Sequence, residues 1–233
     1  MTLPTIAQQQ AAERFAEAVA ARLQPLADPT RAVGMSAYLL DQFTFLGLPA
    51  PLRRAAVREL IGAQPADAAQ LLAMAEALWR LPQREYRYIA VDLLRRHAAL
   101  LDVAALPALQ TLLLDQPWWE TVDGLAAVAS AVLRKAQSGA VEREMDGWLQ
   151  HDSFWVRRLA MLHQLGWRQD TNAERLQRYA LHLCAEKEFF IRKAIGWALR
   201  DYARSQPDWV AAFLAKHRQQ LSPLTAREAG KHL

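Results

Sequence analysis

An all-α protein arranged as an α-solenoid is what this sequence predicts, and three observations predict it. Apolar residues recur at three- and four-residue spacing through almost the whole chain, with Pro or Gly between the runs. Alternating runs of Val, Ile and Thr bounded by Asn-Gly turns are absent, so no strand pattern competes. The third observation is an internal repeat. Tyr86-Arg87-Tyr88-Ile89-Ala90 is followed 32 residues later by Trp118-Trp119-Glu120-Thr121-Val122, after 36 more by Phe154-Trp155-Val156-Arg157-Arg158, and after another 35 by Phe189-Phe190-Ile191-Arg192-Lys193. Each aromatic pair opens a helix and follows a helix and a short polar turn. The unit is therefore a helix-turn-helix of about 35 residues, the period of a stack in which each unit buries its face only against its neighbours. A single array over residues 1–233 accommodates the whole sequence as one domain.

In chain order, Gln8 to Leu23 reads as an amphipathic helix stopped near Pro25. Thr30 to Asp41, after Asp28-Pro29, reads as a second. Phe43-Thr44-Phe45-Leu46-Gly47-Leu48-Pro49-Ala50-Pro51 is a stiff apolar loop whose two prolines forbid helix until Leu52. Short helices are expected over Leu52–Ile61, Asp67–Trp79, Glu85–Leu100 and Val103–Leu114. The helix that opens at Trp118 is Ala, Val and Leu with one Ser from Leu125 to Leu133, so after its first turn it packs.

Composition narrows the class. The chain is 52% hydrophobic with a mean hydropathy of -0.09, as in a soluble globular protein. No window approaches 18 uncharged apolar residues, and the N-terminus lacks a basic stretch followed by an apolar run; no membrane span and no secretory signal are expected, which implies a cytoplasmic location. The single cysteine, Cys184, excludes an intramolecular disulfide framework and multi-cysteine metal sites. It lies in an apolar run that suits buried filler. None of the six histidines has metal-ligand spacing, so neither metal nor other cofactor is implied. The charge of +4 is unevenly spread: 14 Lys+Arg stand against 8 Asp+Glu from residue 151 onward, and 14 against 16 before it. A basic C-terminal third suits a polyanionic partner or a solubilising surface.

The residues opening the second helices of successive units converge on one side of such a stack, which predicts a concave basic surface. They are Trp119, Asp123, Arg157 or Arg158, Lys193 and Trp197. Trp119 and Asp123 are four apart, one turn along one helix face, and Lys193 and Trp197 repeat that spacing. A carboxylate beside an indole suits a cation, since the ring offers its negative quadrupole and the acid a full charge. Arg158, Arg192, Lys193 and Arg200 around two indoles suit nucleic acid, with phosphates on the cations and sugars or bases on the rings. Against this stands a plainer alternative, in which the indoles are core and Asp123 is solvated. Trp118, Phe154, Trp155, Phe189 and Phe190 are expected between repeats, and Arg157 suits an inter-repeat ion pair.

Over nearly its whole length the sequence resembles the AlkD-like DNA alkylation repair proteins, HEAT-like repeat glycosylases that remove N3- and N7-alkylated purines. The resemblance is carried by the Phe43 to Arg53 loop, by Leu78-Trp79-x-Leu-Pro-x-Arg84-Glu85 and by Trp118-Trp119-Glu120-Thr121-Val122-Asp123. Phe154 to Arg158, Phe189 to Arg200 and Leu221 to Ala229 complete it. The resemblance implies that Asp123 is the catalytic carboxylate, Trp119 and Trp197 its flanking indoles, and Arg158 the arginine of the same cleft. It also implies that Tyr38 is the N-terminal tyrosine of the family. The stretch around Gly166 carries Arg168 where members have a backbone-binding lysine. The partner implied is duplex DNA containing alkylated purines, bound by a monomer without a base-flipping pocket. Two rivals are a catalytically silent helical-repeat protein that binds DNA structures and a helical adaptor for proteins.

Overall fold

The structure, a computed structural model, describes residues 3–233, the side chains of Ser138 and His232 apart. Among the described residues there are 14 α-helices and no strand, only an isolated bridge between Thr44 and Gln83. The chain forms two compact units, one ending at Ala108 and one running from Leu109 to Leu233.

The first unit holds α1 (Ile6–Leu23), α2 (Pro29–Tyr38), α3 (Ala50–Ala56), α4 (Arg58–Gly62), α5 (Ala68–Trp79) and α6 (Arg84–Arg96). Helix α1 begins two residues before the expected Gln8 because Thr5 caps it. Its side chain accepts from Gln8 N while the Gln8 side chain accepts from Thr5 N. Helix α2 ends at Tyr38, not Asp41, since Leu40 and Asp41 take left-handed φ values of 59° and 56° that no helix contains. The expected Leu52–Ile61 helix is two, broken at Val57. The expected helix over Glu85–Leu100 ends at Arg96 and is followed by a 3-10 turn, Ala98–Leu100.

Helix α3 starts at Ala50, before the expected Leu52, because Pro51 is tolerated in a first helical turn, and the Phe43–Pro49 loop ahead of it is held by a buried acid. Glu85, 0% exposed, accepts from the backbone N–H groups of Leu46, Gly47 and Leu48 at 2.9, 2.8 and 3.1 Å. Arg84 beside it stacks on Phe43, 3.7 Å from the ring centre. One turn of α6 thus supplies both the anchor for the loop backbone and the cover for its aromatic ring.

Helix α7 (Leu106–Leu114) follows a 3-10 turn, Val103–Ala105, and leads into α8 (Trp119–Leu133), α9 (Ser138–Leu149), α10 (Phe154–Leu162), α11 (Ala173–Leu183), α12 (Phe189–Ala203), α13 (Pro207–Lys216) and α14 (Pro223–Ala229). The repeat is more regular than the aromatic pairs imply. Helices α6, α8, α10 and α12 start at Arg84, Trp119, Phe154 and Phe189, each 35 residues after the last. Helix α10 packs between α8 and α12, with α9 and α11 against it, so within the second unit the repeats opened by α8, α10 and α12 bury their apolar faces on one another.

The rings at the starts of α8, α10 and α12 form one cluster. Trp118 meets Trp155 and Phe190 at 5.7 and 5.5 Å between ring centres, and Trp155 meets Phe190 at 4.8 Å. Trp155 is buried, whereas Phe189, the first residue of α12, is 53% exposed and meets Phe190 edge-on at 5.3 Å, so the burial expected of it between repeats is not found. Deeper in, Trp167 Nε1 donates to Ser130 Oγ at 2.8 Å, which satisfies the polar edge of a buried indole.

Helices α12 and α14 approach closely at Gly196. A Cβ built there would lie 2.5 Å from the Glu228 Cβ and 3.1 Å from the Thr225 carbonyl. Gly196→Ala should therefore lower stability by about 1–3 kcal/mol as α14 is displaced, outweighing a helix-propensity gain of at most about 1 kcal/mol. Urea denaturation measures the difference; an unchanged or raised midpoint would contradict the close approach.

Candidate functional site

The first turn of α8 begins at Trp118, whose extended backbone (φ -150°) serves as the N-cap and whose carbonyl accepts from Thr121 Oγ1 at 3.1 Å. Starting the helix there puts Trp119 and Asp123 one turn apart, both half-buried, while Val122, Leu125 and Ala126 face the core. Arg158 occupies the same register position in the next repeat, on α10. Its Nε and Nη2 donate to Asp123 Oδ1 and Oδ2, each at 2.8 Å, and its Nη1 donates to the Phe190 carbonyl. The arginine side chain is 1% exposed and the aspartate 24%, so the charged fork lies beneath the surface and the carboxylate is its open end.

Burial pushes the Asp123 carboxyl above the ordinary aspartate range. The two hydrogen bonds and the charge of Arg158 pull it back only in part, and Glu120 adds a smaller push upward. The acid is thus held rigidly by a bidentate pair yet remains a proton acceptor of more than usual strength.

The same guanidinium carbon lies 5.2 Å from the centre of the Trp197 ring on α12 and 5.9 Å from that of Phe190. Two further cations lie over Trp197, Lys193 Nζ at 5.5 Å and the Arg200 guanidinium at 5.9 Å. Both are held by Glu228 on α14: Lys193 to Oε1 at 3.2 Å and Arg200 to Oε2 at 3.3 Å, with Lys231 on Oε1 at 2.8 Å. Glu228 is 5% exposed, but what covers it is three cationic side chains. The hydrogen bond from Lys231 leads the effects that hold its carboxyl down at about 2; desolvation opposes them, and Lys193 adds to them.

The structure thus brings Asp123, Arg158, Trp197, Lys193 and Arg200 into one chain of contacts, with Trp119 one turn from Asp123 on the same helix. Arg192 lies apart from it. Its Nε donates to the Glu186 carbonyl at 2.9 Å, on a different face of α12 from Lys193. Arg157 makes the inter-repeat ion pair, with Nε and Nη2 on the two Glu186 oxygens at 2.8 and 2.9 Å. Tyr38 lies in the other unit, 74% exposed at the end of α2. Glu228 is the residue the sequence reading did not single out. The signal for it is register: Asp123, Arg158, Lys193 and Glu228 are spaced 35 apart, a column of charges reading acid, base, base, acid.

Among the described residues no three His, Cys, Asp or Glu side chains are grouped to hold a metal, and no helix is long and apolar enough to cross a membrane.

Comparison with known proteins agrees with the geometry. A family model described as "DNA alkylation repair enzyme" matches residues 19–233. A solved structure from Enterococcus faecalis, named as a predicted DNA alkylation repair enzyme, superposes with a TM-score of 0.82 at 31% identity. The match covers 89% of this chain and 96% of that one. No curated protein matches the chain.

Proposed function

The chain belongs to the DNA alkylation repair enzyme family, and from that premise we propose that it is a DNA glycosylase releasing N3- and N7-alkylated purines from duplex DNA. The observation that carries this reading is Asp123, a carboxylate clamped by a buried arginine that itself underlies the Trp197 indole.

A purine alkylated at N3 or N7 is a cation. When its bond to C1′ breaks, the bonding pair passes to the ring nitrogen and the base leaves neutral, so no general acid is needed to protonate it. Ordinary glycoside hydrolysis needs that second carboxyl. The positive charge left on the deoxyribose is what Asp123 would stabilise. Water then adds at C1′, and its proton passes to Asp123 or to solvent. A carboxylate about 4 Å from a unit charge is worth roughly 4 kcal/mol at an effective dielectric near 20. Only the part gained between ground and transition state accelerates the reaction, so about one to three powers of ten in rate is expected. That suffices for a labile cationic nucleotide and not for a normal one, so lability can supply the selectivity.

In this reading the indoles of Trp119 and Trp197 face the sugar and backbone at the lesion, and Lys193 and Arg200 lie nearest the phosphates. Arg158 acts by holding Asp123. Tyr38 is carried as a DNA contact on the family resemblance alone, and Arg192 on its place among the cations of the α12 sequence. The protein would act as a monomer, without metal or cofactor.

The test is release of 7-methylguanine from a duplex in single turnover, across pH. Only ionised Asp123 stabilises the sugar cation, so the rate should rise with pH through a step above the ordinary aspartate range, the direction in which burial moves this carboxyl. Release no faster than in buffer would reject the glycosylase. A profile with no acid limb would remove Asp123 from it.

A further inference from the structure

The column of charges spaced 35 residues apart ends on α14 in an acid whose role the proposed reaction does not explain. Glu228 is buried to 5% exposure in its side chain, and its ion pairs run to cations other than Arg158. Its oxygens are occupied by Lys193, Arg200 and Lys231, and the first two of these lie over Trp197. We propose that Glu228 is a positioning and specificity-determining residue, which holds Lys193 and Arg200 on the Trp197 indole and restrains how closely they engage DNA phosphates. This rests on the glycosylase reading for its catalytic half and on DNA binding alone for its other half.

The geometry leaves little room for another arrangement. Gly196 lies against the Glu228 Cβ, so the carboxylate is delivered to α12 from a backbone that cannot shift outward without opening a gap. Thr225, one turn earlier on α14, donates its hydroxyl to the Arg192 carbonyl at 3.1 Å and sets the rotation of the helix. The carboxyl is held down at about 2, so it is ionised throughout the working range of pH and its grip does not relax.

The consequence for DNA concerns which groups the protein offers first. Two long cations beside an exposed groove would otherwise reach phosphates anywhere along a duplex, and each such contact adds sequence- and lesion-independent affinity through counterion release. Tied to Glu228, they instead stay beside the indole. What remains for the nucleotide is a fixed aromatic wall next to the carboxylate, a surface that rewards only a sugar placed against it. A search along undamaged DNA is kept loose while the reacting geometry is kept tight.

Glu228→Gln keeps size and shape and removes the charge. In the variant the dependence of log K on log salt for an undamaged duplex should steepen by about one, as one freed cation neutralises a phosphate. Affinity at low salt should rise roughly threefold. Release of 7-methylguanine in single turnover should fall about tenfold, while circular dichroism shows the same helix content. Adding Lys193→Gln and Arg200→Gln to Glu228→Gln should abolish that increase in slope without restoring the rate.

A salt slope unchanged in Glu228→Gln would overturn the proposal. So would loss of binding and activity together, the mark of an acid that only supports the fold. If the wild type itself releases no base, the glycosylase reading fails, and the two salt slopes still decide whether Glu228 restrains the cations.

Discussion

Replacing Asp123 by Asn is expected to slow release of 7-methylguanine by about one to three powers of ten, with DNA binding little changed. The amide keeps the volume and one acceptor for Arg158 Nε, but its N–H2 would face Arg158 Nη2, donor against donor, where the wild type has a 2.8 Å hydrogen bond. It also removes the charge opposite a guanidinium that is 1% exposed, and breaking a buried pair in this way costs about 3–5 kcal/mol. Activity must therefore be compared at a temperature where circular dichroism shows both proteins folded. The variant should also lose the acid limb of the pH profile, because no carboxyl is left to titrate. Equal release by folded wild type and variant would remove Asp123 from the mechanism.

A large effect on stability is also expected at Gly47, in the first unit. Its φ of +87° suits only glycine, and a Cβ there would lie 2.1 Å from the Asp28 carbonyl oxygen and 2.9 Å from Ala32 N. Left-handed backbone in a residue with a side chain costs about 1–3 kcal/mol, and the clash with backbone cannot be relieved by a rotamer change. Gly47→Ala should thus lower stability by more than about 3 kcal/mol, with the loss read as a lower urea midpoint. Shifting the loop to make room would also cost Glu85 its three amide donors, each of which is buried. Gly34→Ala is the control. It lies in α2, its Cβ would meet nothing within 4 Å, and alanine there should be neutral or stabilising by up to about 1 kcal/mol. A Gly47→Ala protein as stable as the Gly34→Ala control would refute the loop geometry.

How far these features could be read from the sequence differs from residue to residue. Trp119 and Asp123 declared themselves, because a helix of known pitch places residues four apart on one face without help from the rest of the chain. Helix ends were less legible: the left-handed turn at Leu40 and Asp41 and the break at Val57 follow from packing and not from any Pro or Gly. Arg158 and Arg192 looked alike as cations opening repeat helices. One is buried against a carboxylate and the other ties down a carbonyl at the α11–α12 turn. They hold adjacent register positions, Arg158 matching Lys193 and Arg192 matching Arg157, and successive helix residues point about 100° apart, so register assigns a face but not a partner. Glu228 stands in register 35 residues after Lys193, but that spacing does not show that Lys193, Arg200 and Lys231 close around it.

The repeat period, the all-helical class and the spacing that aligns Trp119 with Asp123 are properties of the sequence by itself, because each follows from intrahelical geometry and hydrophobic periodicity. Which charges meet was decided only by the tertiary structure. Asp123 takes Arg158, Arg157 takes Glu186, and Glu228 takes Lys193 and Arg200, because pairing depends on distances across helices and on how much water each group gives up when the repeats stack.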